Sequence, residues 1–172
     1  AYCQIAFGFV TCNGCSKAKK NSWKIMKIGI VTIYNVPNYG AILQAYSLAE
    51  YLRREGHEVV LFNVDSPKRH PYIYKLKRLF KLGFIDKFQQ RNYPAITSNL
   101  NEEVDIYMVG SDQVWNIEIT QADYDKYFLA FALHNRKVSY AASFGNNEWD
   151  FPSKRNEIRG FLSAFKYITV RE

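Results

Sequence analysis

Residues Lys27–Asn63 read KIGIVTIYNVPNYGAILQAYSLAEYLRREGHEVVLFN, and this stretch decides the fold. Lys27–Tyr34 is a nearly continuous apolar, β-branched run, the pattern of a strand buried on both faces. Asn35-Val36-Pro37-Asn38-Tyr39-Gly40 follows, rich in residues that tolerate a tight backbone. A helix is predicted from about Ala41 to Glu55, because Ile42, Ala45, Leu48, Ala49 and Leu52 recur at helical spacing. Gly56 is the expected C-cap, and Glu58–Asn63 is the second strand. The three segments make a βαβ unit, whose crossover should be right-handed.

The same alternation continues along the chain. Strand signals return at Val104–Val109, Lys137–Ala142 and Tyr167–Val170. A helix from about Ser153 to Phe165 joins the last two, with Ser153 as its expected N-cap. Tyr72–Phe88 alternates basic and apolar residues with helical character, broken near Gly83. The fold class is therefore α/β: a Rossmann-like, mostly parallel sheet flanked by helices. With 172 residues, 48% of them hydrophobic, the chain can bury a real core. That excludes a disordered tail, a collagen-like chain and a disulfide-stapled mini-protein. No apolar run approaches the roughly 20 residues of a membrane-spanning helix.

The formal charge of +7 is unevenly placed. Glu50 is the first acid in the chain, whereas Lys17, Lys19, Lys20, Lys24 and Lys27 precede it. A second basic block runs from Lys68 to Arg91 with Asp86 as its only acid. Such a block can lie on a membrane surface, face a partner or simply be solvated. Nucleic-acid motifs are missing, and no nucleic-acid partner is expected. Cys3, Cys12 and Cys15 all fall at the start of the chain, and the cysteine-free body fits a reducing compartment or at least no need for disulfides; a cytoplasmic location is expected. Cys12-Asn13-Gly14-Cys15 has a metal-ligand spacing, but a closed tetrahedral site needs four ligands, so no metal is expected. Residues 1–25 lack an initiating Met and place their lysines after the apolar stretch Ile5–Val10, the reverse of a signal peptide. They are read as an extension outside the fold, and residues 26–172 as the Rossmann-like domain.

Ligands of open parallel sheets bind beyond the carboxyl ends of the strands. The loops there are Asn35–Gly40, Gly110–Asn116, Ser143–Asn147 and Arg171-Glu172. Asn38, Tyr39 and Gly40 stand at a helix N-terminus, where the dipole favours phosphate or carboxylate; the alternative is that Gly40 merely permits the turn. In Gly110-Ser111-Asp112-Gln113-Val114-Trp115-Asn116, Asp112 could accept from a sugar hydroxyl or act as a base. Gln113 and Asn116 could bind hydroxyls, and Trp115 could stack on a sugar ring. Equally, the segment could be a polar network that orders the loop, with Trp115 in the core. Arg171, after the last strand, suits a bidentate hold on carboxylate or phosphate. The first loop is not GxGxxG and no Walker motif exists, so a dinucleotide or P-loop site is unsupported. His57, His70 and His134 have no identifiable Cys, Ser or carboxylate partner, and no nucleophilic triad is indicated.

The run Lys27–Asn63, then DIYMVGSDQVWN, YFLAF, KVSYAASFG and ITVRE, resembles the polysaccharide pyruvyl transferase family over about residues 27–172. The NYGAILQA (Asn38–Ala45, with Gln44) and GSDQVWN segments carry the resemblance. It implies one half of a two-domain GT-B-like enzyme that moves pyruvate from phosphoenolpyruvate to sugar hydroxyls of a cell-surface polysaccharide as a ketal. It implies no cofactor, with phosphoenolpyruvate as donor and a glycan or lipid-linked glycan as acceptor. Arg171 would touch the donor. Asn38, Tyr39, Gly40, Gln44, Gly110, Ser111, Asp112, Gln113, Trp115, Asn116 and Ser143 would face the acceptor or order the loops. The family's proposed general acid, a His, belongs to a second half that would follow Glu172, so this N-terminal half would be inactive alone. Peripheral contact with the cytoplasmic membrane face and homo-oligomerisation are both compatible with this reading. Two alternatives remain: half of a GT-B glycosyltransferase using a sugar nucleotide, and a non-catalytic glycan- or anion-binding module.

Overall fold

The computed structural model describes residues 4–6, 9–11, 24–36, 38–64, 83–133, 136–146 and 151–171. Cys3, Cys12, Cys15, His70, His134 and the part of the basic block from Lys68 to Leu82 lie outside these residues. Two short strands, β1 (Gln4–Ala6) and β2 (Phe9–Thr11), pair antiparallel with each other in a sheet of their own. Sequence reading gave no sign of this hairpin.

The domain is built on β3 (Lys27–Val31), α1 (Tyr39–Arg54) and β4 (Glu58–Phe62). A second helix, α2 (83–92), leads into β5 (Ala95–Thr97), a strand too short to stand out in the sequence. Then follow β6 (Ile106–Asp112), the one-turn helices α3 (Ile117–Thr120) and α4 (Tyr124–Tyr127), β7 (Lys137–Ala142), α5 (Arg155–Ser163) and β8 (Phe165–Tyr167). Six strands form one sheet in the order β5-β4-β3-β6-β7-β8, and every neighbouring pair is parallel. The expected α/β fold with a parallel sheet flanked by helices is thus the observed one.

Strand alternation explains the two cores. Ile28, Ile30, Val59, Leu61, Met108 and Val138 face α1 and α2, meeting Ile42, Ala45, Leu48, Ala49, Leu52 and Ile85. Val31, Val60, Phe62, Tyr107 and Val109 face the other way, toward Tyr127, Phe128, Leu129 and Ile158. Both faces are covered, so the strands read as continuous apolar runs rather than alternating ones. Burying a Leu or Ile side chain fully contributes about 1.5–3 kcal/mol.

Several boundaries differ from expectation, each for a local reason. The strand expected over Lys27–Tyr34 is β3 and stops at Val31; just beyond it the Thr32 hydroxyl donates to the Ser111 carbonyl. Helix α1 starts at Tyr39 rather than Ala41, because Asn38 caps it, accepting from Gly40 N and Ala41 N. Strand β6 runs on through Gly110, Ser111 and Asp112, which the sequence had suggested were loop. Ser153 does not cap α5: Pro152–Lys154 form a 3-10 turn, and the α-helix begins only at Arg155. Phe165, expected as the end of that helix, opens β8, and Val170 joins the sheet only through a single bridge to Ala142.

Candidate functional site

The strand order reverses between β3 and β6: the chain winds outward one way through β4 and β5, then the other way through β7 and β8. A crevice opens at such a switch point, beyond the carboxyl ends of the strands. The loops after β3 and β6 meet there, so two segments about seventy residues apart in sequence form one wall. That places the Asn38–Ala45 and Gly110–Asn116 motifs side by side.

Gln44 is the tie between them. Its Nε2 donates toward Thr32 Oγ1 at 2.8 Å, Ala41 O at 3.0 Å and Ile33 O at 3.1 Å. Its Oε1 accepts from Ser111 Oγ at 2.8 Å. Thr32 Oγ1 in turn donates to Ser111 O at 3.0 Å. One amide therefore connects the end of β3, the first turns of α1 and the end of β6. Thr32 is 1% exposed and central to this network, yet sequence reading passed over it. The available signal was a hydroxyl inside an otherwise apolar run, Lys27–Tyr34.

The end of β6 is shaped by backbone as much as by side chains. Gly110 has φ +115, and a Cβ there would collide with the Tyr140 carbonyl of β7, so only glycine fits. The Gly110–Ser111 peptide bond is cis. Asp112 follows at φ +90, an uncommon conformation for a residue with a side chain. Its Oδ1 accepts from Gln113 N at 2.9 Å, and its carbonyl accepts from Ser143 N at 3.1 Å. Ser143 is buried; its carbonyl accepts from Trp115 N at 3.1 Å and its Oγ from Gly145 N at 2.9 Å. Asn116 caps α3 through Glu118 N and donates from Nδ2 to Gln113 Oε1 at 3.2 Å. Gly145, at φ +79, leaves room for this pair, since a Cβ would lie 2.6 Å from Gln113 Oε1 and 2.8 Å from Asn116 Nδ2.

Trp115 is 1% exposed and stacks on Phe128 with ring centroids 5.6 Å apart, flanked by Phe144 and Phe165. It belongs to the core and has no face to offer a sugar ring, so of the two roles it retains the loop-ordering one. Its Nε1 has no hydrogen-bond acceptor among the described residues. Tyr39, in contrast, is exposed at the rim. Asn38 spends its side-chain oxygen on the α1 cap, which engages two of the amides an anion would otherwise meet at that helix end.

Arg171 approaches from the far side of β7. Ser139 and Thr169 hold its segment by reciprocal bonds: Ser139 Oγ donates to Thr169 O and Thr169 Oγ1 donates to Ser139 O, both at 2.9 Å. Arg171 N then donates to Ala142 O at 3.1 Å, and its Nη1 stands 3.9 Å from Asp112 Oδ1. The structure thus gathers Arg171, Asp112 and Ser143 at adjoining strand ends. His57 lies elsewhere: it sits at the amino edge of the sheet, where its Nδ1 accepts from Met26 N at 3.4 Å. Lys27, also at that edge, is held above its ordinary pKa by its bond to Glu102, with Glu58 adding to the effect.

Among the described residues no cluster of His, Cys, Asp and Glu could hold a metal ion, and no helix is long and apolar enough to cross a membrane. No curated protein and no solved structure matches the chain. The family model for polysaccharide pyruvyl transferase matches residues 38–172, from the α1 cap through both motifs to the last residue. The chain belongs to the polysaccharide pyruvyl transferase family.

Proposed function

We propose that this chain is the acceptor-side, N-terminal half of an enzyme that transfers pyruvate from phosphoenolpyruvate to two hydroxyls of a polysaccharide as a ketal. The observation that carries the reading is that the family match runs through both loops meeting at the switch-point crevice. In the reaction the methylene carbon of the donor takes a proton and its enol carbon becomes oxocarbenium-like. One sugar hydroxyl adds to that carbon, a second displaces phosphate, and the hydroxyl protons leave to a base or solvent. Arg171 suits the donor carboxylate or phosphate by its forked geometry. Asp112, beside it, suits a sugar hydroxyl. Gln44, Ser111, Gln113, Asn116 and Ser143 keep these groups in place through the bonds described above.

The general acid for the donor carbon is assigned to the second half of the enzyme, as the family resemblance implies. This reading puts the enzyme on the cytoplasmic side, where phosphoenolpyruvate is available. Incubation of a form carrying both halves with phosphoenolpyruvate and candidate glycans tests the assignment. Phosphate release with a matching mass gain on the glycan supports it. Turnover of a sugar nucleotide instead, or glycan binding with no turnover of either donor, overturns it. Phosphate release by the present chain alone overturns the placement of the acid.

A further inference from the structure

A groove of about 300 Å³ opens beside the candidate site, lined by Phe144, Arg155, Ile158, Arg159 and Leu162. Positions 155, 158, 159 and 162 lie on one face of α5, because they recur at helical spacing. Ile158 is buried, and Phe144 and Leu162 are partly buried, so the floor is apolar. Arg155 and Arg159 are both exposed at the rim. Phe144 directly follows Ser143 and packs on Trp115 at 5.3 Å between ring centroids, so the groove is continuous with the strand-end loops.

The two arginines sit where helix electrostatics opposes them. They are four residues apart, a spacing at which like charges destabilise a helix. Arg155 is also the first residue of α5, at the positive end of the helix dipole. Neither forms an ion pair or hydrogen bond with the described residues. Glu157, the one acid of α5, is turned to Tyr124, whose hydroxyl donates to it at 2.8 Å. Lys154, next to Arg155, lies over the ring of the same Tyr124 at 3.7 Å. The groove thus joins an apolar floor to two guanidinium groups that have no acidic partner among the described residues.

The geometry points to an acidic glycan as the occupant: a sugar ring whose C–H face lies on Phe144, Ile158 and Leu162 while its carboxylate or phosphate bridges Arg155 and Arg159. A neutral ring would leave the arginines unmatched, and a bare anion would leave the apolar floor wet. The identification of this sugar as part of the acceptor rests on the function proposed above; the binding itself does not.

Isothermal titration of the chain with methyl β-glucuronide, glucose 1-phosphate, methyl β-glucoside and inorganic phosphate tests the assignment, with amide resonances of α5 followed by NMR. At least one acidic sugar is expected to bind about tenfold or more tightly than both the neutral glycoside and inorganic phosphate, shifting resonances at 155–162. The Arg155→Ala/Arg159→Ala variant, changed only at exposed positions, should lose that tenfold advantage. Arg155→Lys/Arg159→Lys should recover part of it. The glucuronide and the sugar phosphate then separate carboxylate from phosphate as the source of the charge. Equal affinity for the neutral glycoside, equal affinity for inorganic phosphate, or binding unchanged in the double alanine variant overturns the proposal. So does a dimer of the native chain that dissociates in that variant, which gives the face to self-association. Because no donor is present, pyruvyl transfer can fail while this binding succeeds, and the reverse.

Discussion

Replacing Gln44 by alanine removes the side chain that joins the ends of β3 and β6 to the start of α1, and its cost can be worked from the bonds it makes. Carbonyl oxygens only accept, so Ala41 O and Ile33 O fix the amide nitrogen toward them, and Ser111 Oγ is left to donate to the amide oxygen. The nitrogen carries two hydrogens against three acceptors, so two full bonds and the one from Ser111 are at stake. At roughly 1 kcal/mol net for each bond the loss is about 3 kcal/mol, less where water can enter from the partly exposed side. For a chain of this size that is a fall of roughly 6–12 °C in melting temperature. Urea and thermal unfolding of Gln44→Ala measure it, with Leu43→Ala as an exposed neighbour expected to change stability by under about 0.5 kcal/mol. A cycle with Ser111→Ala should give a coupling of about 1 kcal/mol. A Gln44→Ala protein within about 0.5 kcal/mol of the native one, or strictly additive with Ser111→Ala, refutes the idea that this amide assembles the site.

Other substitutions separate core from site. Trp115→Ala should cost about 3–5 kcal/mol in unfolding experiments because it opens the aromatic cluster; a stable Trp115→Ala protein with weakened glycan binding would restore the sugar-stacking role. Arg171→Ala should weaken phosphoenolpyruvate binding in the two-domain enzyme, because it removes the guanidinium that stands 3.9 Å from Asp112 at the strand ends. Unchanged donor affinity removes it from the site. Lys137 is 3% exposed, and burial pushes its pKa below the ordinary value. The destabilisation is complete while the folded lysine is charged and fades as pH rises toward 10.5, so Lys137→Met should gain stability near neutral pH and lose that advantage in base; a gain independent of pH contradicts this. Arg54 and Arg53 hold Glu50 below the usual carboxylate range. Its contribution is therefore present above the ordinary glutamate pKa and lost as pH falls through the lower folded value, and Glu50→Gln should flatten the acid limb of the stability curve.

The sequence was most legible where a periodic pattern was long. Strand β7 was found to the residue, and α1 to within two residues at its start and one at its end. Misreadings came from short or capped segments. Strand β5 has three residues, two of them exposed, so its sequence carries no strand signature. Gly110-Ser111-Asp112 read as loop because glycine and small polar residues usually break a strand, whereas β7 pairs with them and extends it. Ser153 had the composition of an N-cap, but Pro152 directed the chain into a 3-10 turn first.

The candidate site followed the same division. Its main residues could be picked out in order along the chain, because strand ends facing Gly and small polar residues are visible as composition. Whether each one faces a ligand or a neighbour could not be, because that depends on contacts between distant segments. Trp115 is the clearest case: nothing local distinguishes a stacking platform from a core residue until Phe128, Phe144 and Phe165 close around it. Arg155 and Arg159 drew no attention in the sequence, because only the folded α5 sets them beside Phe144, Ile158 and Leu162.

By itself the sequence determined the α/β class, the βαβ unit, the two motif loops and the family, because all of these rest on local periodicity and on residues near one another in the chain. The tertiary structure alone decided the strand order, and with it the switch point between β3 and β6, the Thr32–Gln44–Ser111 tie, the burial of Trp115 and the groove on α5. Pairing of strands far apart in sequence is set by which apolar faces can be covered together, a property of the whole chain that no single segment carries.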